Sequence, residues 1–250
     1  MAKQLAVITG AGSGLGRALA TELCARGLLV AGLGRRDDAL QETATLAGDS
    51  FTPVVADVSD PTQVRTTFES IRTIAPVSVL INNASVYPHR DMLDETPESF
   101  MQTVAINLGG TVACTSEALK DMTEAGRGRI LNVSSFADLH PLPCSAAYSV
   151  SKGAVSTFSR ALVADLGDRL PKIVISTWMP GMLNTEMGLD DGLDPAVAAK
   201  WGAGLALWDA PSLNGSVFEM DREILPPRGL KGRLKDAVRL KRRKPRLIPT

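Results

Sequence analysis

Three observations predict that this 250-residue chain folds as a single α/β domain, a doubly wound parallel sheet of about seven strands with helices on both faces. Apolar runs of strand length alternate with amphipathic stretches of helix length along most of the chain. The length and the 44% content of hydrophobic residues suffice for one substantial core. The first apolar run leads through a glycine-rich turn into a helix-forming stretch, as the first unit of such a sheet does.

The predicted elements follow one another in strand–helix order. The apolar runs that predict strands are residues 5–9, 28–33, 52–56, 77–82, 129–134, 173–179 and 216–220. The stretches that predict helices are residues 17–24, 62–74, 97–123, 146–166 and 195–208. Thr96 and Pro97 form a helix start signal, because threonine caps a first turn and proline fits its first position. Alternation of this kind implies right-handed crossovers between parallel strands.

The turn after the first strand is rich in glycine. Glycine lets the backbone turn tightly and approach a pyrophosphate, which lies at the helix N-terminus where unpaired N–H groups point outward. The alternative is an ordinary strand-to-helix turn. Because a strand precedes the turn and a helix follows it, we expect a dinucleotide-binding loop. The residues of this loop are Gly10, Gly12, Ser13, Gly14, Leu15 and Gly16.

Tyr148 and Lys152 lie four residues apart in a predicted helix, thirteen residues after Ser135. Residues at this spacing share one face of a helix, so the phenol and the ammonium group reach the same cleft. A lysine cation favours the phenolate, and we therefore expect Lys152 to lower the pKa of Tyr148 while Ser135 holds a carbonyl or alcohol oxygen. The alternative is an amphipathic helix with a lysine whose charged end reaches water.

These features and four further motifs resemble the short-chain dehydrogenases/reductases in their compact single-domain form. The resemblance extends from Leu5 to about Met220. Ser85 stands where the family's asparagine motif has a glycine. The matching segments are Thr9-Gly-x-x-x-Gly14-x-Gly16, Asp57-Val58, Asn82-Asn83-Ala84, Asn107, Ser135 with Tyr148-x-x-x-Lys152, and Pro180-Gly181-Met182-Leu183-Asn184-Thr185.

The resemblance implies a Rossmann-type fold and assigns a role to each matching residue. Tyr148 would exchange the proton, Lys152 would also bind the nicotinamide ribose, and Asn107 would hold a water that links Lys152 to solvent. The spacing to Tyr148 favours Ser135 over Ser134 as the fourth member of this catalytic set. The cofactor contacts that the resemblance implies outside the glycine loop are Asp57, Val58, Asn83, Ala84, Tyr148, Lys152, Pro180, Gly181, Met182 and Thr185.

The end of the second predicted strand indicates which cofactor is used. Gly34 occupies the position where an acidic residue would bind the ribose 2′-hydroxyl of NAD, and Arg35 and Arg36 follow it. A guanidinium group suits the 2′-phosphate of NADP. Asp37 and Asp38 are expected to begin the next helix, where carboxylates suit the helix dipole. NADP is therefore favoured over NAD.

The sequence thus predicts an enzyme, an NADP(H)-dependent oxidoreductase that transfers a hydride between nicotinamide and a carbonyl or secondary alcohol, specifically a ketoreductase with Tyr148 as general acid/base. The alternatives are an NAD-dependent alcohol dehydrogenase and a nucleotide-binding regulatory or scaffold protein, against which the intact catalytic set argues. A short segment after Thr185 predicts an open cleft for a small-molecule or carrier-attached substrate, unless the C-terminal extension covers it. The resemblance also implies a homo-oligomer, dimer or tetramer.

Composition restricts the setting in which the protein works. No run of about 18 uninterrupted apolar residues predicts a transmembrane helix, and the first strand begins too early to leave room for a signal peptide. The three cysteines lack paired or metal-like spacing, which favours reduced thiols and a cytoplasmic location. The two histidines are far apart in sequence, and no metal site is expected.

The C-terminal extension departs most from the family pattern. Residues 228–250 carry ten Lys and Arg against one acid, a net charge of +9, so residues 1–227 carry −9. We therefore divide the chain into a catalytic domain, residues 1–227, and a basic extension, residues 228–250. An acidic partner, an anionic membrane surface or nucleic acid could each bind this charge. Docking on the chain's own acidic surface is favoured, because no apolar face or aromatic residue accompanies the charge.

Overall fold

The computed structural model describes residues 4–226 and 244–249 of the chain. Their eight strands form one sheet in the order β3-β2-β1-β4-β5-β6-β7-β8. Strands β1 to β7 run parallel, and β8 pairs antiparallel with β7. The strands are β1 (Leu5–Thr9), β2 (Leu29–Gly34), β3 (Phe51–Val55), β4 (Val77–Asn82), β5 (Gly128–Val133), β6 (Ile173–Met179), β7 (Val217–Glu219) and β8 (Arg222–Ile224).

Helices cover both faces of this sheet, so the predicted doubly wound α/β architecture is confirmed. Helices α1, α2 and α7 form one layer, and α3, α5 and α6 form the other. The helices are α1 (Gly14–Ala25), α2 (Asp37–Ala47), α3 (Pro61–Ile71), α4 (Pro97–Val104), α5 (Gly110–Ala125), α6 (Ala146–Leu166) and α7 (Pro195–Leu207). None of the described helices is both long and apolar enough to cross a membrane.

Strand β1 shows how the sequence produces two cores. All five of its residues are buried, as expected for a central parallel strand that helices cover on both sides. Side chains alternate along a strand, so Ala6 and Ile8 pack into the core beneath α1 and α7, whereas Leu5 and Val7 pack beneath α3 and α5. A continuous apolar run therefore supplies both faces of the sheet.

The predicted helix over residues 97–123 is interrupted in the structure. Thr96 accepts a hydrogen bond from the N–H of Ser99, with Pro97 in the first turn, as the start signal predicted. Between α4 and α5, residues Ala105–Gly109 form one π-helical turn. Such a turn inserts an extra residue and shifts the faces of the helix that follows. Asn107 lies in this turn and is buried.

Strand β8 was not predicted, because two of its three residues, Arg222 and Glu223, are charged and leave no apolar run to indicate a strand. Its outer edge is covered by the last described residues of the chain. Leu247 forms an antiparallel bridge with Arg222, and the N–H of Glu223 donates to the carbonyl of Arg246 over 2.9 Å. An exposed strand edge invites association with other chains, so this covering closes the sheet at β8.

The last described residues also pack into the core. Ile248 is 5% exposed and joins the cluster beneath α1 and α7. The Arg246 guanidinium pairs with both carboxylate oxygens of Glu223 and lies 6.0 Å from the ring centroid of Trp208. The described end of the basic extension therefore binds an acidic side chain of the same protein, Glu223. The other basic residues of the extension, apart from Lys244, lie outside the described residues.

Substitution of Ile248 tests whether the terminal segment stabilises the domain. Ile248→Ala should lower the free energy of unfolding by about 2–4 kcal/mol, because it leaves a cavity against α7. Urea unfolding followed by circular dichroism measures the effect. Leu247→Ala is the matched control, because the Leu247 side chain is 55% exposed, and it should change the unfolding free energy by less than about 0.5 kcal/mol. Equal losses in the two variants would contradict the docking.

Candidate active site

A cleft of about 670 Å³ crosses the carboxyl ends of the parallel strands. It is centred where the strand order reverses, since β1 connects through α1 to β2 on one side and has β4 on the other. Ligands of doubly wound folds bind at this switch point, and the volume falls within the range of ligand sites. The cleft is lined by the glycine loop, the loops after β2, β3 and β4, and the segments after β5 and β6.

The glycine loop packs so closely that side chains would not fit. A Cβ on Gly16 would lie 1.9 Å from the carbonyl oxygen of Gly10, and one on Gly10 would lie 2.9 Å from Cα of Ala84. Gly10 also has a φ of 71°, in the region that favours glycine. The loop therefore exposes backbone without side chains to the cleft, and a loop that binds a pyrophosphate requires such close access to its N–H groups.

A hydrogen-bonded clasp, formed by Thr9, Asn83 and Ala84, holds this loop in place. The Thr9 hydroxyl accepts from the backbone N–H of Asn83 over 3.0 Å and from that of Ala84 over 2.9 Å. The Asn83 amide donates to the Thr9 carbonyl over 2.9 Å. Ser13, at the start of α1, makes no side-chain cap, so the first N–H groups of α1 are not occupied by it. These features fit a dinucleotide, whose pyrophosphate accepts hydrogen bonds from such groups.

The end of the cleft beside β2 carries two free cations. Arg35 and Arg36 are exposed and line the cleft, and neither side chain has a hydrogen-bond or ion-pair partner among the described residues. Arg17, by contrast, donates to the carbonyl of Gly12 over 2.6 Å and pairs with Glu42. Asp37 and Asp38 lie in the first turn of α2, as predicted, and do not line the cleft. This end therefore offers guanidinium groups and no acidic competitor from α2.

The remaining residues predicted at the adenine side also line the cleft. Asp57 follows β3, and its carboxylate accepts from the N–H and the hydroxyl of Ser59. Val58 is buried against α5, where a Cβ on Gly110 would lie 2.6 Å from it. Both Asp57 and Val58 line the cleft.

Ser135, Tyr148 and Lys152 meet at the far end of the cleft. Ser135 follows β5, and Tyr148 and Lys152 lie one turn apart on α6. The Ser135 hydroxyl lies close enough to the Tyr148 phenol to affect its pKa, and the Lys152 ammonium lies 5.8 Å from the centre of the Tyr148 ring. The hydroxyl of Ser134 bonds instead to α6, at the Lys152 carbonyl and the Ser156 hydroxyl. The structure thus brings together the hydroxyl, phenol and amine that the sequence singled out.

Burial dominates the electrostatics of this trio. Lys152 is 3% exposed, and burial lowers its pKa to about 8, while its ammonium donates to the Val133 carbonyl over 2.9 Å. Burial also raises the pKa of Tyr148 above its usual value, opposed by the Ser135 hydrogen bond and assisted by the nearby Tyr87. The expected lowering of the Tyr148 pKa by Lys152 is therefore not found. The ammonium is directed at a carbonyl, and desolvation outweighs it.

Asn107 connects three parts of the site. Its amide oxygen accepts from the Val86 N–H over 2.8 Å, and its amide nitrogen donates to the Val86 carbonyl and to the Ser151 hydroxyl. These bonds fix the loop after β4 to α6, immediately beside Tyr148 and Lys152. They occupy both N–H groups of the amide. The predicted role of Asn107 in holding a water stays a prediction.

The segment after β6 borders the other side of the cleft. Pro180, Gly181, Met182 and Thr185 all line it. The methyl group of Thr185 would lie 3.1 Å from a Cβ on Gly14, so this segment touches the glycine loop. The segment then closes into a compact loop over residues 183–193. Hydrogen bonds join Leu193 to the carbonyl of Met182, and Asn184 to the carbonyl of Leu193, each over 2.9 Å.

Two aromatic residues that the sequence left unassigned complete the site. The Tyr87 ring stacks on the Tyr148 ring with centroids 4.5 Å apart, and the His89 ring stacks on Tyr87 at 3.7 Å. No periodic signal places these rings, because they lie in the irregular loop after β4. The described residues contain no cluster of three His, Cys, Asp or Glu side chains that could hold a metal.

Comparisons with known proteins agree with this geometry. A family model described as short chain dehydrogenase matches residues 4–194. Versicolorin reductase 1 of Aspergillus parasiticus is 33% identical over 191 residues, which cover 74% of this chain and 72% of that protein. Trihydroxynaphthalene reductase PfmaI of Pestalotiopsis fici is 32% identical over 189 residues, covering 74% of this chain and 66% of that protein.

Among solved structures, the crystal structure of levodione reductase has the same fold. Its TM-score is 0.81 at 24% sequence identity, over 87% of this chain and 95% of that chain. The fold, the glycine cradle and the family match together define an oxidoreductase with a nicotinamide cofactor. The chain belongs to the short-chain dehydrogenase family.

The buried amine predicts a pH-dependent stability. Below pH 8 Lys152 is charged in both the folded and unfolded states, and burial of the charge costs about 3 kcal/mol, since its pKa falls from 10.5 to about 8. Between pH 8 and 10.5 the unfolded state binds more protons, so stability rises with pH. Lys152→Met removes this cost, and its advantage in unfolding free energy should shrink by about 3 kcal/mol between pH 7 and 10.5.

Urea unfolding at a series of pH values measures this difference. Lys200→Met, at an exposed position on α7, controls for the loss of a positive charge. A Lys152→Met advantage that stays constant across the pH range would show that Lys152 is not buried as a cation.

Proposed function

We propose that the protein is an NADPH-dependent carbonyl reductase, a ketoreductase in which Tyr148 is the general acid/base. The observation that carries the proposal is that one cleft joins Ser135, Tyr148 and Lys152 to Arg35 and Arg36, whose side chains have no partner among the described residues. The first group suits proton transfer at an oxygen, and the second suits a 2′-phosphate. The substrate is a small-molecule or carrier-attached carbonyl or alcohol compound.

The residues that would hold the cofactor extend across the top of the sheet. Strands β2 and β5 are separated by β1 and β4, so Arg35 and Ser135 lie roughly 14 Å apart across the sheet. This distance suits an extended dinucleotide with its adenosine beside β2 and its nicotinamide beside β5 and β6. The nicotinamide supplies the hydride, which no protein side chain can do. The backbone of the glycine loop would hold the pyrophosphate between the two ends.

Tyr148 is suited to donate a proton. Because burial raises its pKa, the phenol stays protonated at neutral pH, and the reducing direction requires a protonated acid. Ser135 would donate a hydrogen bond to the substrate oxygen, which becomes more negative as the carbonyl is reduced. The printed names of the two relatives from Aspergillus parasiticus and Pestalotiopsis fici, both reductases, support this direction.

Lys152 has donors to spare for the cofactor and for proton supply. An ammonium group has three N–H bonds, and one of them is used by the Val133 carbonyl. The other two are available to ribose hydroxyls and to a water. With a pKa of about 8, Lys152 can both give and accept a proton near neutral pH, so it can reload Tyr148 after each turnover.

The setting and assembly of the protein form part of the same proposal. A cytoplasmic location is supported by the free thiols of Cys24 and Cys114, which are buried and unpaired with any described cysteine. A homo-oligomer is supported by exposed apolar side chains on α4, α5 and α6, namely Met101, Val112 and Val150. Residues 1–227 would then form the catalytic domain, and residues 228–250 a basic extension whose end docks on it through Arg246.

Replacement of the phenol hydroxyl tests the catalytic assignment. Tyr148→Phe should lower kcat for ketone reduction by about 10²–10⁴-fold, because the general acid is lost while the ring and its stacking remain. NADPH oxidation is followed by absorbance, and NADPH affinity is measured separately by fluorescence titration. The loss of turnover is expected to be much larger than any loss of NADPH affinity. Turnover within a few-fold of the wild type would overturn the role of Tyr148.

Replacement of Arg35 tests the cofactor preference. Arg35→Ala should weaken NADPH binding by about tenfold or more and leave NADH binding nearly unchanged, because a charge-assisted bond to the 2′-phosphate is lost. Fluorescence titration with both cofactors measures this. Arg65→Ala, at an exposed position on α3, removes the same charge away from the cleft and should alter neither affinity. Equal weakening of NADPH and NADH by Arg35→Ala would remove the basis for NADP selection.

A further inference from the structure

The half of the cleft beyond Tyr148 is lined by rings and exposed apolar side chains. His89, Tyr87 and Tyr148 form a column of three nearly parallel rings, with interplanar angles of 23° and 17°. His89 and Tyr148 both stack on Tyr87, so it is the edge of the Tyr87 ring that stays available to a ligand. The edge of an aromatic ring carries partial positive charge and attracts the negative face of another ring.

A rim of exposed apolar side chains also lines this half of the cleft. Leu142, Met182, Met187 and Leu189 line the cleft, and each is between 38% and 46% exposed. Large apolar side chains left uncovered around a cleft mark a surface that a ligand buries. Methionine adapts to irregular shapes and makes favourable contacts between its sulfur and aromatic rings.

This rim is built before any ligand arrives. Met187 and Leu189 lie in the compact loop over residues 183–193, in which Leu189 donates to the carbonyl of Leu183 over 3.0 Å. A Cβ on Gly188 would lie 1.9 Å from that same carbonyl oxygen, so the loop closes only with glycine there. The short segment after β6 thus forms a fixed wall and leaves the cleft open above it.

The charges around this half do not suit an anionic substrate. Apart from Tyr148 and Lys152, the ionisable side chains of described residues that line it are Tyr87, His89 and Glu186. The free guanidinium groups of Arg35 and Arg36 lie at the other end of the cleft, roughly 14 Å away across the sheet. Among the residues that the structure describes, a carboxylate or a phosphate-bearing carrier arm would meet a like charge at Glu186 and no cation other than the buried Lys152.

We propose that this half of the cleft is a subsite for an uncharged, flat ring ketone, an aryl or fused-ring compound whose face lies against the edges of the ring column. Its carbonyl lies at Ser135 and Tyr148, and its far side is covered by the methionine and leucine rim. The proposal rests on the proposed function for the reaction itself. It narrows the substrate from any carbonyl compound to free ring ketones, and it excludes carrier-attached acyl chains.

Three ketones of ten carbons test the substrate class: 2-tetralone, which is a neutral fused-ring ketone, 2-decanone, which is neutral and acyclic, and 9-oxodecanoate, which is acyclic and anionic. With NADPH, kcat/KM for 2-tetralone should exceed that for each of the others by about 30-fold or more. Equal or higher values for either acyclic ketone would overturn the proposal.

Variants of the column and the rim identify the residues responsible. His89→Ala and Met187→Ala should each raise KM for 2-tetralone several-fold and leave KM for 2-decanone within twofold. His89→Phe, which keeps a ring at the end of the column, should restore the wild-type value. Met92→Ala and Leu139→Ala are matched controls, because both side chains are exposed but lie outside the cleft. Neither control should change KM for either ketone.

A binding measurement separates this subsite from the reaction. 2-Naphthol is flat and uncharged and cannot be reduced as a ketone, and its fluorescence reports binding to the enzyme with NADP⁺. We expect 2-naphthol to bind, and we expect His89→Ala to weaken the affinity for 2-naphthol several-fold. If 2-naphthol binds but no ketone is reduced, the subsite stands and the proposed reaction fails. If ketones are reduced but 2-naphthol does not bind, the reaction stands and the subsite is overturned.

Discussion

The clasp between the ends of β1 and β4 is the contact on which the rest of the site depends. The Thr9 hydroxyl holds two consecutive backbone N–H groups, those of Asn83 and Ala84, and this draws the glycine loop against the next strand's loop. The approach is close enough that neither Gly10 nor Gly16 can carry a side chain. Because the two loops leave the sheet in opposite directions, the clasp fixes the width of the cleft at its centre. The cation end and the catalytic end are then positioned by the strand order on either side.

At the catalytic end, burial sets the chemistry as much as proximity does. The same desolvation that makes Lys152 readily deprotonated makes the Tyr148 phenol reluctant to ionise. A phenol that stays protonated beside an amine whose pKa is about 8 has the protonation state that the proposed reduction requires. The Tyr87 ring, stacked at 4.5 Å between centroids, packs against the phenol ring. Binding of a cofactor would change this balance by covering the site further.

Periodic patterns made most of the fold predictable. Strand β4 (Val77–Asn82) and helix α6 (Ala146–Leu166) have the bounds that their apolar patterns indicate, since each is long and strongly patterned. The spacing of Ser135, Tyr148 and Lys152 likewise required no tertiary information beyond a strand end and a helix face. The π-helical turn at Asn107 was not predictable, because one extra residue in a helix leaves the apolar pattern almost unchanged.

The features that the sequence did not predict share a physical cause, namely dependence on contacts between distant residues. The column of His89, Tyr87 and Tyr148 forms only when the loop after β4 is fixed to α6 by Asn107. Whether the pKa of Tyr148 is raised or lowered depends on how deeply the rest of the folded chain buries its phenol. Strand β8 is too short and too polar to be detected locally, and it exists because Leu247 and Arg246 pair with it from far along the chain.

The docking of residues 244–249 has a consequence for how the protein reaches its folded state. These residues are synthesised after every element that they contact, yet Ile248 fills part of the core beneath α7, and Ile248 donates to the carbonyl of Asp221 in the β7–β8 turn. Met220 in that turn packs over Gly181, which lines the cleft. A nascent chain can therefore form its glycine loop early, but one wall of the cleft gains its support only after residues 244–249 have been synthesised.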